Sequence, residues 1–217
     1  MKNILLASAV CFLCSCAPTR FVKPLAKKQQ AVNFSLGGPV IDYKSVPIPM
    51  PFITATYGYG IDSSLTGFAS LNITSALYGN LQLELGATKQ LLKQKGGIPA
   101  ISINPVLNII YRKNEARLYP QLDVNAFWDH NNGRSFFYVG LCNWFELQSK
   151  RTLDEDQPHH WILTPMIGET LVRKKWNYNI EAKMVAANVS NASVVDYKSL
   201  INKHGAFGIY FGVTRKF

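Results

Sequence analysis

The chain has 217 residues, a formal net charge of +10 and only 17% charged residues, where soluble domains average roughly 25%. Past residue 16 no stretch approaches the ~18 consecutive apolar residues of a membrane-spanning helix, so that class is excluded. Three of the four cysteines lie within the first sixteen residues, which leaves Cys142 and no disulfide inside the remainder.

Lys2 precedes an apolar run from Ile4 to Leu13, and the run closes on Leu13-Cys14-Ser15-Cys16. A charged start, a short apolar stretch and small residues at a processing site form the layout of a secretory signal. Leu13, Ser15 and Cys16 stand at −3, −1 and +1, and they resemble the lipobox of bacterial lipoproteins. The resemblance implies cleavage after residue 15 and palmitate-type acylation of Cys16. With Ala17 rather than Asp after the cysteine, it also implies passage to the outer membrane. At about 0.8 kcal/mol per buried CH₂, three acyl chains anchor essentially irreversibly. Residues 16–30 read as a lipidated tether. They carry Pro18 and Pro24, a basic cluster (Arg20, Lys23, Lys27, Lys28) and little apolar periodicity. Such a segment suits a solvated spacer or a strip laid on anionic headgroups.

From residue 31 to 217 the chain reads as one domain with a hydropathy period of two, the signature of strands with one apolar face. Strands are predicted near 31–37, 52–60 and 65–74. Over 81–88, Leu81, Leu83, Leu85 and Ala87 oppose Gln82, Glu84, Gly86 and Thr88. Ile101, Ile103, Leu107 and Ile109 oppose Ser102, Asn104 and Asn108 in 100–112. Over 117–128, Leu118, Leu122, Val124 and Trp128 oppose Arg117, Gln121, Asp123 and Asn125. Weaker strands fall near 135–147 and 160–172. Trp176, Tyr178 and Ile180 then oppose Asn177, Asn179 and Glu181. In the last segment Phe207, Ile209, Phe211, Val213 and Phe217 oppose Gly208, Tyr210, Gly212 and Thr214. That makes about ten strands, within a range of eight to twelve. Turn residues separate them, as in Asp62-Ser63-Ser64, Gly96-Gly97 and Asn131-Asn132-Gly133. The long gaps are 38–50, 148–159 and 186–204, the last with room for a short helix near Val194–Asn202.

Two closed architectures share this alternation. A soluble lipocalin-like barrel turns its apolar face inward around a ligand, with Leu83, Leu85, Ile103 and Phe211 lining the cavity. A membrane barrel turns it outward to lipid. The polar face here is mostly Asn, Gln, Ser, Thr and Gly, which suits a narrow bore better than a surface in water. Aromatic residues cluster at strand ends on the apolar face (Tyr59, Tyr111, Trp128, Trp161, Trp176), where rings meet the lipid–water boundary. The final strand, with Phe211, Val213 and a terminal Phe217, resembles the assembly signal of bacterial outer-membrane barrels, although Arg215 stands where that signal has an apolar residue. The expected fold is therefore an all-β, closed antiparallel transmembrane barrel with both termini periplasmic and an even strand number. Pro105, Pro120 and Pro165 oppose it, because proline breaks a strand ladder; an open sheet or sandwich accepts them more easily.

No catalytic constellation emerges. His159-His160 with Asp154, Glu155 and Asp156 reads as a solvated loop, and adjacent strand histidines chelate one metal poorly. Asp129-His130 has the residue types of an acid–base couple but sits at a turn. Glu84, Arg112, Arg117, Asp123, Glu146, Glu181 and Lys183 all fall on the polar face, where they are expected to pair and fill the bore. Cys142 reads as an inert buried thiol. The expectation is a non-catalytic barrel lipoprotein without metal or cofactor. Its partners would be membrane lipid, the outer-membrane assembly machinery and a protein met through the outer loops, with no nucleic acid.

Overall fold

A computed structural model describes residues 20–43, 46–112, 115–150, 156–192 and 196–217. Wherever the period of two runs, strands form: β1 (Gln30–Tyr43), β2 (Val46–Pro49), β3 (Phe52–Asp62), β4 (Leu65–Asn72), β5 (Leu81–Leu92) and β6 (Ala100–Arg112). They continue with β7 (Glu115–His130), β8 (Ser135–Phe145), β9 (Trp161–Val172), β10 (Trp176–Ser190) and β11 (His204–Lys216). From β3 to β11 each strand pairs antiparallel with its neighbour in sequence, β1 pairs with β3, and β11 returns to β1 from Ala31↔Lys216 to Pro39↔Gly208. Ten strands thus close into a barrel and leave no free edge for lipid to meet. The even number puts both ends of the wall at one rim, here termed the terminal end. The connections at that rim are 63–64, 93–99, 131–134 and 173–175, and those at the opposite rim are longer except between β6 and β7.

The faces are sorted as a membrane barrel requires. Leu83 and Leu85 are 38% and 52% exposed, whereas Gln82 and Glu84, which alternate with them, are at 1% and 2%. Phe34, Ile167, Ile180 and Phe211 also face out, and Asn33, Thr54, Ser102, Asn125 and Thr164 face in. The lipocalin-like alternative is overturned on the same residues. Leu83, Leu85 and Phe211 line the outside of the barrel rather than a cavity.

The prolines fit because each sits where a ladder is already interrupted. Pro105 pairs with Leu122 of β7, but on its other side the β5–β6 ladder has a gap, in unchanged register, between Gly86↔Val106 and Lys89↔Ile103. Pro120 precedes Gln121, where the β7–β8 ladder begins. Pro165 follows the end of the β9–β10 ladder at Met166. None is asked for a donor it lacks.

Three regions differ from the sequence expectation. The gap at 38–50 is largely strand: β1 runs past the wall to Tyr43 and pairs with the short β2. The 65–74 strand ends at Asn72, whose side chain accepts from the Ser75 amide and caps a short helix, α1 (Ile73–Leu77). Residues 196–202 form no helix. They tie to the β1 extension instead, through Asp42 N to Asp196 O at 2.6 Å and Lys198 N to Val40 O at 2.8 Å.

Candidate functional site in the barrel bore

The main departure from the sequence reading lies in the tether. Residues 20–29 do not run along a surface; they fold into the terminal mouth of the bore as a strap. Phe21, Val22 and Leu25 are each 5% exposed. Phe21 and Leu25 pack with Ala31, Phe68 and Val106, and Val22 packs with Ala100, Phe127, Phe136 and Tyr138. Each such side chain contributes about 1.5–3 kcal/mol on burial. The strap therefore contributes to two of the apolar clusters that fill the bore.

Its backbone is held by bore hydroxyls and amides. The Phe21 carbonyl accepts from Thr88 Oγ1 at 2.7 Å and Asn104 Nδ2 at 3.3 Å, and the Val22 carbonyl accepts from Ser102 Oγ at 2.6 Å. The Leu25 amide donates to Thr66 Oγ1 at 2.7 Å. At the rim, Lys28 N donates to the Gly60 carbonyl at 2.7 Å, and Gly60 N donates to the Gln29 carbonyl at 2.9 Å. Two wall glycines make the room. A Cβ on Gly58 would come within 2.6 Å of the Phe21 ring, and one on Gly60 within 2.0 Å of the Ala26 carbonyl oxygen. Gly58→Val is accordingly expected to unseat Phe21 at an overpacking cost of about 1–3 kcal/mol, read as faster tryptic cleavage after Arg20 in the folded protein.

Charge anchors the strap at two depths. The Arg20 guanidinium forms an ion pair with Glu84, both side chains almost wholly buried, and its Nε donates to Ser70 Oγ at 3.2 Å. Nearer the rim, Lys23 Nζ reaches both oxygens of Asp129 at 2.7 Å. That second pair is a third exposed and contributes little.

Farther along the bore, Glu181 pairs with Lys183 at 3.1 Å and accepts from the Tyr138 hydroxyl at 2.7 Å, while Lys183 lies 5.4 Å from the Tyr210 ring centre. Asp123 accepts from Gln121 Nε2 at 2.7 Å and sits opposite Cys142, a buried free thiol. Of the charged residues assigned to the polar face, Glu84, Asp123, Glu181 and Lys183 are in the bore. Arg112, Arg117 and Glu146 are at the opposite, loop rim. There Glu146, just past β8, is half-buried; loss of water raises its carboxyl above the usual range, partly offset by the Gln148 amide. Asn125 is wholly buried with neither amide atom bonded to protein, and the side-chain oxygens of Asn104 and Asn108 are likewise unpaired. Groups of this kind call for water in the bore.

The remaining candidates disperse. Asp129 and His130 do not form a couple: Asp129 serves Lys23, and His130 Nε2 lies 2.9 Å from Glu169 Oε1. His160 Nδ1 is 2.8 Å from the Glu146 carbonyl. Among the described residues, no three His, Cys, Asp or Glu side chains gather to hold a metal. Phe211, Val213 and Phe217 face outward, and Phe217 N donates to the Gln30 carbonyl at 2.9 Å. Cys16, the rest of the leader, Asp154 and Glu155 lie outside the described residues. Arg20 and Lys23 are the site residues that sequence reasoning missed. The signal available for them was three apolar residues, Phe21, Val22 and Leu25, inside an otherwise basic stretch.

An apolar belt outside and a polar bore inside define the fold of outer-membrane β-barrels. Among solved structures the chain is similar to an outer-membrane channel from Pseudomonas putida F1, at 8% identity over 93% of this chain and 100% of that one, with a TM-score of 0.50. It is also similar to the translocator domain of the autotransporter NalP from Neisseria meningitidis, at 10% identity over 100% and 94% of the two chains, with a TM-score of 0.47. The likeness is one of fold. No protein-family model and no curated protein matches the chain.

Proposed function

We propose that the protein is a lipoprotein of the bacterial outer membrane: a small β-barrel, anchored through Cys16, that acts as a non-catalytic structural or interaction component. The observation that carries this reading is the strap. A bore whose mouth is filled by Phe21, Val22 and Leu25, and braced by Arg20 on Glu84, is built for closure rather than for passage or turnover. The terminal end faces the periplasm in this reading, and assembly by the outer-membrane machinery uses the last strand with Phe211, Val213 and Phe217. The loop end is then the working surface. It presents Tyr43, Val46, Leu77, Tyr78 and Leu200 to solvent, each more than half exposed, as contacts for a protein partner.

Only three residues separate Cys16 from Arg20, and the four Cα–Cα steps between them span at most about 14 Å. Acyl anchor and strap are thus one mechanical unit. Palmitate labelling with outer-membrane fractionation tests the reading. Label is expected in the wild type and absent from Cys16→Ala, while Cys16→Ala still needs detergent and keeps a heat-modifiable gel shift. A Cys16→Ala chain that is soluble without detergent contradicts the membrane barrel; an unlabelled wild type contradicts the lipoprotein.

A further inference from the structure

Charge is sorted between the two ends of the barrel. The terminal end carries exposed Lys27, Lys28, Lys93, Lys95 and Arg134 besides the turn Arg173-Lys174-Lys175. The acids of that end are already engaged. Asp62 accepts from the Ser64 amide at 2.6 Å, Asp129 takes Lys23, and Glu169 takes His130.

The cations are densest where β8 begins, β9 turns into β10 and β11 ends. Arg134, Arg173, Lys174, Lys175, Arg215 and Lys216 share this arc. It is held by backbone bonds from Val172 N to the Arg134 carbonyl (2.8 Å), Arg173 N to the Trp176 carbonyl (2.7 Å) and Lys216 N to the Lys175 carbonyl (2.8 Å). The side chains bond only to carbonyls: Arg173 to Arg134 O at 3.2 Å and Val172 O at 2.9 Å, and Lys216 to Arg173 O at 2.7 Å. No side-chain carboxylate pairs with any of the six among the described residues, and counting the α-carboxylate of Phe217 against them still leaves a large positive excess.

Two further features set the arc at a lipid boundary. The Arg215 guanidinium lies over the Trp176 and Phe217 rings, 5.5 and 5.1 Å from their centres, which fixes it at the level of the aromatic girdle. Directly along the wall from it, Tyr178, Ile180, Phe211 and Val213 present an exposed apolar face. Phosphate-binding groups above and a greasy wall below reproduce the division of a phospholipid. Six cations on one arc exceed what a single phosphate neutralises, and guanidinium forks suit phosphate oxygens.

We propose that this arc is a headgroup site for a doubly anionic phospholipid of the cardiolipin type. Its phosphates lie between the 173–175 turn and Arg215, and its acyl chains lie on β10 and β11. Cardiolipin rather than the diphosphate of lipid A is assigned because the site rests on the reading that the terminal end faces the periplasm, in the phospholipid leaflet.

The test is native mass spectrometry of detergent-purified, delipidated full-length protein titrated with cardiolipin, phosphatidylglycerol, phosphatidylethanolamine and lipid A. Each near-surface cation is a substantial part of such binding, so cardiolipin is expected to bind at least about tenfold more tightly than phosphatidylglycerol. The variant Arg173→Gln/Lys174→Gln/Lys175→Gln is expected to lose about tenfold or more, and the distant pair Lys93→Gln/Lys95→Gln to stay within about twofold. Equal losses in both variants, or no preference for cardiolipin over phosphatidylglycerol, overturn the site. A preference for lipid A overturns the assigned lipid. A retained heat-modifiable shift shows that each variant is a folded barrel; its absence from the wild type refutes the membrane reading instead. Should the triple variant misfold, Arg215→Gln alone, which leaves the turn intact, is expected to lower cardiolipin binding at least about threefold.

Discussion

Removing one carboxylate inside the bore, Glu84→Ala, is expected to unseat the strap. The Arg20 guanidinium would then remain buried with only Ser70 to bond, and breaking a buried pair by deleting one partner costs about 3–5 kcal/mol. The strap can leave the mouth, so the protein need not bear the whole of that cost. Release caps it at the energy that seats the strap, which comes largely from Phe21, Val22 and Leu25. The expected signs are rapid tryptic cleavage after Arg20, and single-channel conductance in planar bilayers where the wild type is silent. Arg20→Leu/Glu84→Leu removes both charges and is expected to restore the silent bore, read by conductance because the substitution at Arg20 also removes the tryptic site. A Glu84→Ala protein as resistant and as silent as the wild type would show that the pair does not hold the strap.

The second large effect is expected on the other side of the same wall. Phe211 is 53% exposed in mid-strand on β11, opposite Leu36 and Ile180. An arginine there meets hydrocarbon, and Phe211→Arg is expected to destabilise folding into lipid vesicles by about 2–4 kcal/mol. Ile61→Arg, near the terminal rim, is expected to cost about 0–1 kcal/mol because its charge reaches the interface. Urea titration of vesicle-inserted protein measures both. Equal costs at the two positions would mean that depth in a bilayer does not govern the outer face.

These two substitutions also mark what was legible in the sequence. The outer wall was, because lipid and a wet bore are opposite solvents and a strand offers them alternate residues; Leu83 beside Glu84 carries that contrast in two letters. Closure followed, since hydrocarbon tolerates no edge. The β1–β2 extension was hidden by Pro39, Pro47 and Pro49, which read as loop. Pro47 and Pro49 are tolerated because β2 stands clear of the closed wall and pairs only with the β1 extension, and Pro39 is tolerated as the last residue of the β1–β11 ladder, opposite Gly208. The strap was hidden for another reason. Phe21, Val22 and Leu25 match a helical spacing for one turn only, with Pro24 inside it, and an irregular segment is shaped by the cavity that it fills. Its recognition needed Gly58 and Gly60 beside it, and their proximity exists only in three dimensions. Glu84 was read as a bore residue that would pair within the wall. Its partner is Arg20, which the sequence had placed outside.

The most direct test of the account asks which solvent touches each face. Nitroxide labels at Leu83→Cys and Phe211→Cys, in a Cys142→Ser background reconstituted in lipid vesicles, report collision with oxygen, which concentrates in hydrocarbon, and with a water-soluble nickel chelate. An outer wall in hydrocarbon gives oxygen-dominated relaxation at both positions. Relaxation dominated by the nickel chelate at both would place these residues in water and contradict it.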